Sequence, residues 1–128
     1  MLVYFDLKNP KYLPKCLHFG DAGLDLVAAE TVSIRPRQSA DIPVGVEKWI
    51  PNDFNCVGLV VPRSSWFAKG LLCLSVIDSG YRKPWYVRCW NVSDHTIMVY
   101  EGERFAQLIV FYYIPVTIIT GKEKGVRE

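Results

Sequence analysis

The sequence predicts an all-β domain, built as a sandwich, a jelly roll or a small barrel. Several short segments are rich in β-branched and aromatic residues, and clusters of turn residues separate them at spacings near ten residues. No segment of about eleven residues or more carries a sustained helical stripe of apolar side chains. Many short strands with little helix are typical of these antiparallel architectures.

Each predicted strand is an apolar segment bounded by turn residues. In chain order, we predict strands at residues 39–51 (SADIPVGVEKWIP), 55–62 (NCVGLVVP), 86–92 (YVRCWNV), 96–100 (TIMVY) and 105–119 (FAQLIVFYYIPVTII). At most one short helix is predicted, about two turns near residues 64–71. Ser64 or Ser65 would be its N-cap, and Gly70 would end it.

Length and composition indicate one globular domain, residues 1–128. Hydrophobic residues make up 50% of the chain and charged residues 22%. The net charge of +2, from 15 basic and 13 acidic residues, is too balanced for a dedicated nucleic-acid binder. No apolar run approaches the roughly 20 residues of a membrane-spanning helix, and the amino terminus does not resemble a signal peptide. We therefore expect a cytoplasmic protein, or a nuclear one if its host cell has a nucleus, without nucleic-acid or membrane partners.

The cysteines predict neither a metal site nor a disulfide framework. None of the four forms a C-x-x-C pair, and neither histidine lies at ligand spacing from a cysteine. Disulfide frameworks belong mainly to smaller secreted chains. We expect reduced, mostly buried thiols.

The apolar run LIVFYYIPVTII, residues 108–119, predicts contact with a second subunit. It is too long and too apolar for a strand at a solvated sheet edge, where it would be a pairing hazard. We expect a neighbouring copy of the chain to cover it in a homo-oligomer. The alternative is that it is buried within the monomer.

Two polar segments carry groups suited to a phosphate ligand and its metal. In DAGLDL, Gly23 permits close backbone approach, and Asp25 could ligand Mg²⁺ through water. The alternative for Asp25 is a surface carboxylate on a half-buried strand. In PRSS, Arg63 offers a fixed fork of donors, and Ser64 and Ser65 offer hydroxyls beside the free N–H groups of a helix start. An ordinary N-cap would explain one serine but not the arginine.

Two further segments hold single polar residues of open role. In SVIDSGYRK, Asp78 ends an apolar run before a Ser-Gly corner, so it either closes a turn or serves as a base. In GERFAQLIV, Gln107 lies among apolar residues, where a buried amide needs hydrogen-bond partners. That amide either supports the fold or reaches a ligand.

In their order and spacing, these four segments resemble the trimeric dUTPases, the deoxyuridine triphosphate nucleotidohydrolases. The family motifs resemble A-G-x-D-L, P-R-S-[SG], G-[VI]-[IV]-D-x-x-Y-x-G and G-[DE]-R-x-A-Q-[LM], and the match extends from about residue 21 to residue 110. The resemblance implies a distorted jelly roll or β-barrel of the dUTPase type. It also implies a homotrimer with its active sites between subunits.

The resemblance implies magnesium-dependent hydrolysis of dUTP to dUMP and pyrophosphate. Asp78 would activate the water that attacks the α-phosphorus. Asp25 would help to place Mg²⁺ through water, and Arg63 would help to order the site. The residues that would bind the phosphates are Arg63, Ser64, Ser65 and Gln107.

The resemblance also implies how the nucleoside is held. The ring of Tyr81 would pack on the deoxyribose and leave no room for a 2′-hydroxyl. Backbone groups of the hairpin over residues 74–86 would read the uracil, with Leu74, Ser75 and Tyr86 lining the nucleoside site.

The chain departs from the family pattern in ways that keep two alternatives open. Ser75 and Lys83 stand where the third motif has glycines, and a left-handed backbone there would cost roughly 1–2 kcal/mol. A glycine-rich last motif is not found, so residues 120–128 are read as the start of a truncated or missing C-terminal arm. The alternatives are a catalytically impaired, regulatory or binding protein of the same fold, with a viral or phage source, and a relative of dCTP deaminase.

Overall fold

The all-β prediction is confirmed by the computed structural model, which describes residues 1–124. Within these residues the chain forms eleven strands, two short helices and one turn of 3₁₀ helix at Pro10–Tyr12. The helices are α1 (Ser64–Ala68) and α2 (Gly121–Lys124). The strands are β1 (Val3–Leu7), β2 (Leu24–Val27), β3 (Val32–Ile34), β4 (Ser39–Pro43), β5 (Val46–Pro51), β6 (Cys56–Pro62), β7 (Leu71–Cys73), β8 (Ser75–Asp78), β9 (Tyr86–Asn91), β10 (Ile97–Val99) and β11 (Arg104–Tyr112).

The strands pair antiparallel in four sheets. The largest sheet has the order β2-β11-β6-β8, and a three-stranded sheet has the order β4-β9-β7. Two-stranded sheets are formed by β1 with β5 and by β3 with β10. The pairing within residues 1–124 does not close into a barrel, so the sheets pack face to face as in a jelly roll.

The core follows from the alternation of side chains along the strands. In β9, Val87, Cys89 and Asn91 are buried while the residues between them are exposed. The largest fully buried side chains include Trp49 of β5 and Phe105 of β11. Burying an aromatic ring of this size stabilises the fold by roughly 2–3 kcal/mol, so these rings fix how the sheets sit on one another.

The strand predicted at residues 105–119 is shorter than expected, and it is not at a sheet edge. β11 ends at Tyr112 and lies between β2 and β6, because it pairs with both. The apolar segment that follows is not strand, and Ile114, Val116 and Ile118 are 86%, 79% and 89% exposed. Burial of this segment within the monomer is therefore not observed.

The predicted helix near residues 64–71 is confirmed, but its predicted N-cap is wrong. α1 begins at Ser64 and its N-cap is Arg63, whose extended backbone has φ −67° and ψ 147°. Both serines therefore lie in the first turn, where their hydroxyls do not cap the helix. The chain leaves the helix at Gly70, as predicted, with a φ of 98° that glycine adopts readily.

The remaining predictions on cysteines, membranes and the chain end have mixed outcomes. All four cysteines are free; Cys56, Cys73 and Cys89 are buried and Cys16 is exposed, as expected for reduced thiols. Among residues 1–124, no helix has the length and apolar character needed to cross a bilayer. The predicted arm start at residues 120–128 lies partly outside the described residues, which end at residue 124.

Candidate active site

The structure gathers the predicted phosphate and metal residues in one cleft. This polar cleft has a volume of about 210 Å³. It forms where β2, β11 and the end of β6 meet the start of α1. Its lining residues are Leu17, His18, Asp21, Ala22, Gly23, Asp25, Arg63, Ser64, Ser65 and Gln107. Segments separated by more than 80 residues in the sequence thus contribute to one site.

Asp25 and Arg63, which both line the polar cleft, form an ion pair. Arg63 Nε lies 3.4 Å from Asp25 Oδ1, and the side chains are 37% and 14% exposed. Arg63 Nη1 also donates a hydrogen bond to the backbone oxygen of Arg104, at 3.2 Å. Because the guanidinium group is held on two sides, it is oriented before any ligand arrives.

Gln107 enters the cleft because Gly23 leaves room for it. Gln107 of β11 pairs with Asp25 of β2, and its Nε2 donates to the backbone oxygen of Pro62 at 3.4 Å. A Cβ atom at Gly23 would overlap Gln107 Oε1 and lie 3.0 Å from Gln107 Cβ and Cδ. The close backbone approach predicted for Gly23 is confirmed, and its neighbour is the Gln107 side chain.

The predicted nucleoside residues line a second cleft, which we call the hairpin cleft. It has a volume of about 330 Å³ and is lined by Ser75, Val76, Ile77, Tyr81, Trp85 and Tyr86. Leu74, also predicted there, is exposed and is not among the residues that line this cleft. Leu74 stands where the chain crosses from β7 in one sheet to β8 in another, which explains its different position.

The hairpin cleft opens because its two arms belong to different sheets. β8 pairs with β6, whereas β9 pairs with β4 and β7. β8 is therefore an edge strand, and about half of its backbone groups point away from β6. Within residues 1–124, Arg37 is the sole non-glycine residue with a left-handed φ. Ser75 and Lys83 thus occupy ordinary backbone conformations.

Asp78 is the last residue of β8, directly before the turn at Ser79 and Gly80. Its side chain is exposed, and its backbone oxygen accepts hydrogen bonds from Trp49 Nε1 and from Tyr81 N, each at 3.0 Å. The second of these bonds closes the turn that carries Tyr81, a residue that is 38% exposed. Tyr81 Oη donates to the backbone oxygen of Pro84 at 3.4 Å, a long bond that links the two ends of the segment 81–84.

Asp78 and the polar cleft of the same chain lie at opposite ends of β6. Asp78 pairs with Val57 near the start of the strand, and Pro62, which precedes Arg63, ends it. Val57 and Pro62 are five positions apart along the strand, a distance of about 17 Å at 3.3 Å per residue. A side chain cannot bridge that distance, so one chain does not bring Asp78 together with its own phosphate residues.

The clefts are also lined by residues that were not predicted as site residues, among them His18, Asp21 and Trp85. His18 and Asp21 line the polar cleft from an irregular loop, which Cys16 Sγ supports by donating to the His18 backbone oxygen at 3.1 Å. Trp85 lines the hairpin cleft although it is buried. His18 and Asp21 could have been suspected because they lie close to Gly23 in the sequence. Nothing marked Trp85 except that it follows the Ser-Gly turn after Asp78.

Comparison with known proteins places the chain in a family. The family model described as dUTPase matches residues 10–124. The chain belongs to the dUTPase family. The deoxyuridine 5′-triphosphate nucleotidohydrolase of Bifidobacterium longum subsp. infantis is 34% identical over an aligned length of 132 residues. This alignment covers 95% of this chain and 82% of that protein. The enzyme of the same name from Mycobacterium avium is 43% identical over 103 residues, or 77% of this chain. That match spans 66% of the mycobacterial protein.

Solved dUTPase structures share the fold. A dUTPase of phage phi11 of S. aureus superposes with a TM-score of 0.84 at 22% identity, over 94% of this chain and 96% of that one. EIAV dUTPase gives a TM-score of 0.79 at 28% identity, over 93% and 95% of the two chains. The jelly-roll fold predicted from the resemblance is confirmed.

Proposed function

We propose that this member of the dUTPase family hydrolyses dUTP to dUMP and pyrophosphate. The observation that carries the proposal is the polar cleft, where Asp25, Arg63 and Gln107 converge from three separate strands or strand ends. The names of the curated relatives, deoxyuridine 5′-triphosphate nucleotidohydrolases, support the same reaction.

The polar cleft would bind the triphosphate through fixed donors. The oriented guanidinium of Arg63 supplies charge-assisted hydrogen bonds, and the hydroxyls of Ser64 and Ser65 add neutral donors at the start of α1. The amide of Gln107 supplies a further donor from β11. Donors held in place before the reaction stabilise the charge on the phosphates without reorganisation during it.

Asp25 is the group in the cleft that would hold magnesium. Mg²⁺ keeps several of its waters and is bound by one or two carboxylates together with substrate phosphates, so a single partly buried carboxylate fits its requirements. The ion pair with Arg63 occupies one carboxylate oxygen and leaves the other for a metal-bound water. Bound Mg²⁺ would neutralise charge on the phosphate oxygens.

Asp78 would orient and deprotonate the water that attacks the α-phosphorus. Its exposed side chain at the rim of the corner leaves it accessible to a substrate. Since about 17 Å of β6 separates its backbone from the polar cleft of the same chain, a shared site requires Asp78 and Arg63 from different subunits. This geometry supports a homotrimer with active sites between subunits, and so do the exposed apolar side chains of residues 113–119.

The hairpin cleft would take the deoxynucleoside. The free edge of β8 offers backbone donors and acceptors at the spacing of a strand, to which the uracil edge could bind as a further strand would. The ring of Tyr81, which lines the hairpin cleft, would pack on the deoxyribose and exclude a 2′-hydroxyl. Ser75 supports this arrangement because its backbone is not left-handed. The protein would act in the cytoplasm, or in the host cell if its source is viral.

Turnover of dUTP in H₂¹⁸O with Mg²⁺ tests the proposal directly. Attack on the α-phosphorus puts the label in dUMP and leaves pyrophosphate unlabelled, which mass spectrometry distinguishes. Label in pyrophosphate would exclude the proposed point of attack. Tight magnesium-dependent binding of a dUTP analogue without turnover would instead favour a regulatory binding protein, and release of ammonia from dCTP would favour a deaminase.

A further inference from the structure

A basic pocket adjoins the polar cleft. It has a volume of about 210 Å³, and its lining residues are Lys11, Leu13, Lys15, Leu17, Asp25, Val27, Gly102 and Arg104. Leu17 and Asp25 also line the polar cleft, so the two spaces share a wall. We call this space the basic pocket, because three of its four charged lining residues are cations.

Strand register puts Lys15 in one row with the residues proposed to bind the phosphates and the metal. Lys15 forms an isolated antiparallel bridge with Asp25, in which Asp25 N donates to Lys15 O at 2.7 Å and Lys15 N donates to Asp25 O at 3.3 Å. On its other side, Asp25 pairs with Gln107 of β11. Side chains of directly paired residues project to the same face of a sheet. Lys15, Asp25 and Gln107 therefore form one row, with neighbouring backbones about 5 Å apart.

Arg104 lies on the same face, one row further along. It pairs with Val27, two residues after Asp25 on β2, and alternate side chains of a strand share a face. Arg104 therefore projects to the face that carries Asp25 and Lys15. This explains why both cations line the basic pocket although they are far apart in the sequence.

Lys15 and Arg104 carry charges that the protein does not neutralise. Among residues 1–124, neither the Lys15 ammonium group nor the Arg104 guanidinium group has a hydrogen-bond or ion-pair partner. The third cation of the pocket, Lys11, is paired with Glu101 at 3.1 Å. Because Lys15 and Arg104 are both exposed, their donors are available to an anionic ligand.

The polar cleft by itself lacks the positive charge that a triphosphate needs. Its acidic and strongly basic lining residues are Asp21, Asp25 and Arg63, so two carboxyl groups oppose one guanidinium group. Every phosphate of a nucleoside triphosphate is ionised near neutral pH, and bound Mg²⁺ would neutralise only part of that charge. Lys15 and Arg104 supply the further cations on the same face, which makes the whole surface complementary to the ligand.

We infer that Lys15, with Arg104 beside it, binds the outer phosphates of the substrate, which leave as pyrophosphate. The inference rests on the proposed function in placing a nucleoside triphosphate in the polar cleft. No aromatic ring lines the basic pocket, whereas the hairpin cleft proposed for the nucleoside has three. The phosphate chain extends away from the nucleoside, so its outer groups are the ones that enter the basic pocket. Lys15 is then a further binding residue for dUTP and for the pyrophosphate product.

Calorimetry with inorganic pyrophosphate tests the inference without requiring turnover. Lys15→Gln should weaken pyrophosphate binding roughly three- to tenfold, as expected for a partly exposed charge-assisted contact, and should leave dUMP binding unchanged. Lys15→Arg keeps the charge and should retain most of the affinity. Lys48→Gln removes the same charge from β5, away from both clefts and the basic pocket, and is the matched control. Because Lys15 is exposed, its replacement should leave the urea midpoint unchanged.

A double-variant cycle separates contact with the phosphates from support of Asp25. In the absence of Mg²⁺, Lys15→Gln should weaken pyrophosphate binding at least as much in an Asp25→Asn protein as in the unmodified one. If Lys15 acted only by holding Asp25, its replacement would have no effect once the carboxylate is removed. That result would overturn the inference.

The measurements also distinguish this inference from the proposed function. In turnover, Lys15→Gln should raise the KM for dUTP by a factor similar to the loss of pyrophosphate affinity. Cleavage of dUTP with an unchanged KM and unchanged pyrophosphate affinity in Lys15→Gln would overturn the inference and leave the function standing. Pyrophosphate binding that depends on Lys15, in a protein that does not cleave dUTP, would do the reverse. Failure of the unmodified protein to bind pyrophosphate would also overturn the inference, as would a weaker affinity of Lys15→Gln for dUMP.

Discussion

Replacing Gly23 with alanine should test how the polar cleft is assembled. The added methyl group would overlap Gln107 Oε1 and lie 3.0 Å from Gln107 Cβ and Cδ. The amide oxygen can turn away, but the Cβ is fixed by β11, where Gln107 pairs with Asp25. Relief therefore requires β2 and β11 to shift. Overpacking of this kind costs about 1–3 kcal/mol of unfolding free energy.

Urea denaturation at fixed protein concentration measures this cost. For a chain of this size the free energy of unfolding falls by about 2 kcal/mol for each mole per litre of urea. Gly23→Ala should therefore lower the urea concentration at the unfolding midpoint by about 0.5–1.5 M. The concentration must be held constant because assembly would contribute to the apparent stability. Displacing the Gln107 amide should also lower kcat/KM for dUTP by about 10- to 100-fold, the value of a hydrogen bond to a charged group.

Gly80→Ala is the matched control for the added methyl group. Apart from Gly80 itself and its two chain neighbours, no heavy atom within residues 1–124 lies within 4 Å of a Cβ built at Gly80, and its φ is not left-handed. Both substitutions restrict the unfolded chain equally, so their difference isolates the clash. The double variant Gly23→Ala, Gln107→Ala should have a higher urea midpoint than Gly23→Ala alone, because the clashing side chain is gone. Its activity should stay low, because the Gln107 amide is gone as well. Equal midpoints for Gly23→Ala and Gly80→Ala would refute the reasoning.

Three further predictions concern single side chains. Asp78→Asn should lower kcat for dUTP by at least 100-fold in a pyrophosphate-release assay with an unchanged midpoint, because the bond from Trp49 goes to the Asp78 backbone; full activity would exclude Asp78 as the base. Tyr81→Ala should raise kcat/KM for UTP relative to dUTP, and an unchanged ratio would exclude Tyr81 as the sugar filter. Hydrogen bonds from Arg88 hold the pKa of Asp41 below its ordinary value. The resulting stabilisation is present above about pH 4 and is lost as the pH falls through the lowered pKa. Asp41→Asn should therefore flatten the acid limb of the urea-midpoint profile slightly, because an exposed ion pair contributes little; an unchanged limb would show that the pair does not contribute.

Short sequence patterns correctly predicted those strands and helix ends that are determined by residues close together in the sequence. The β-branched and aromatic residues of segment 86–92 predicted the strand β9, and Gly70 predicted the end of α1, since both signals depend on side chains a few positions apart. The N-cap was wrong because α1 starts directly after β6, which leaves Arg63 at the cap and places Ser64 inside the first turn. Sequence spacing does not resolve a boundary of one residue.

The sequence by itself determined the β class, the family resemblance and the chemical groups of the site. Each of these can be read from the types of residues that stand close together along the chain. Tertiary structure alone decided which groups meet. Strand register brings Asp25 opposite Gln107, and the ion pair between Asp25 and Arg63 depends on that alignment of β2, β11 and β6. Register also places Asp78 at the far end of β6. Pairing between distant strands is fixed by the packing of whole sheets, to which every core side chain contributes.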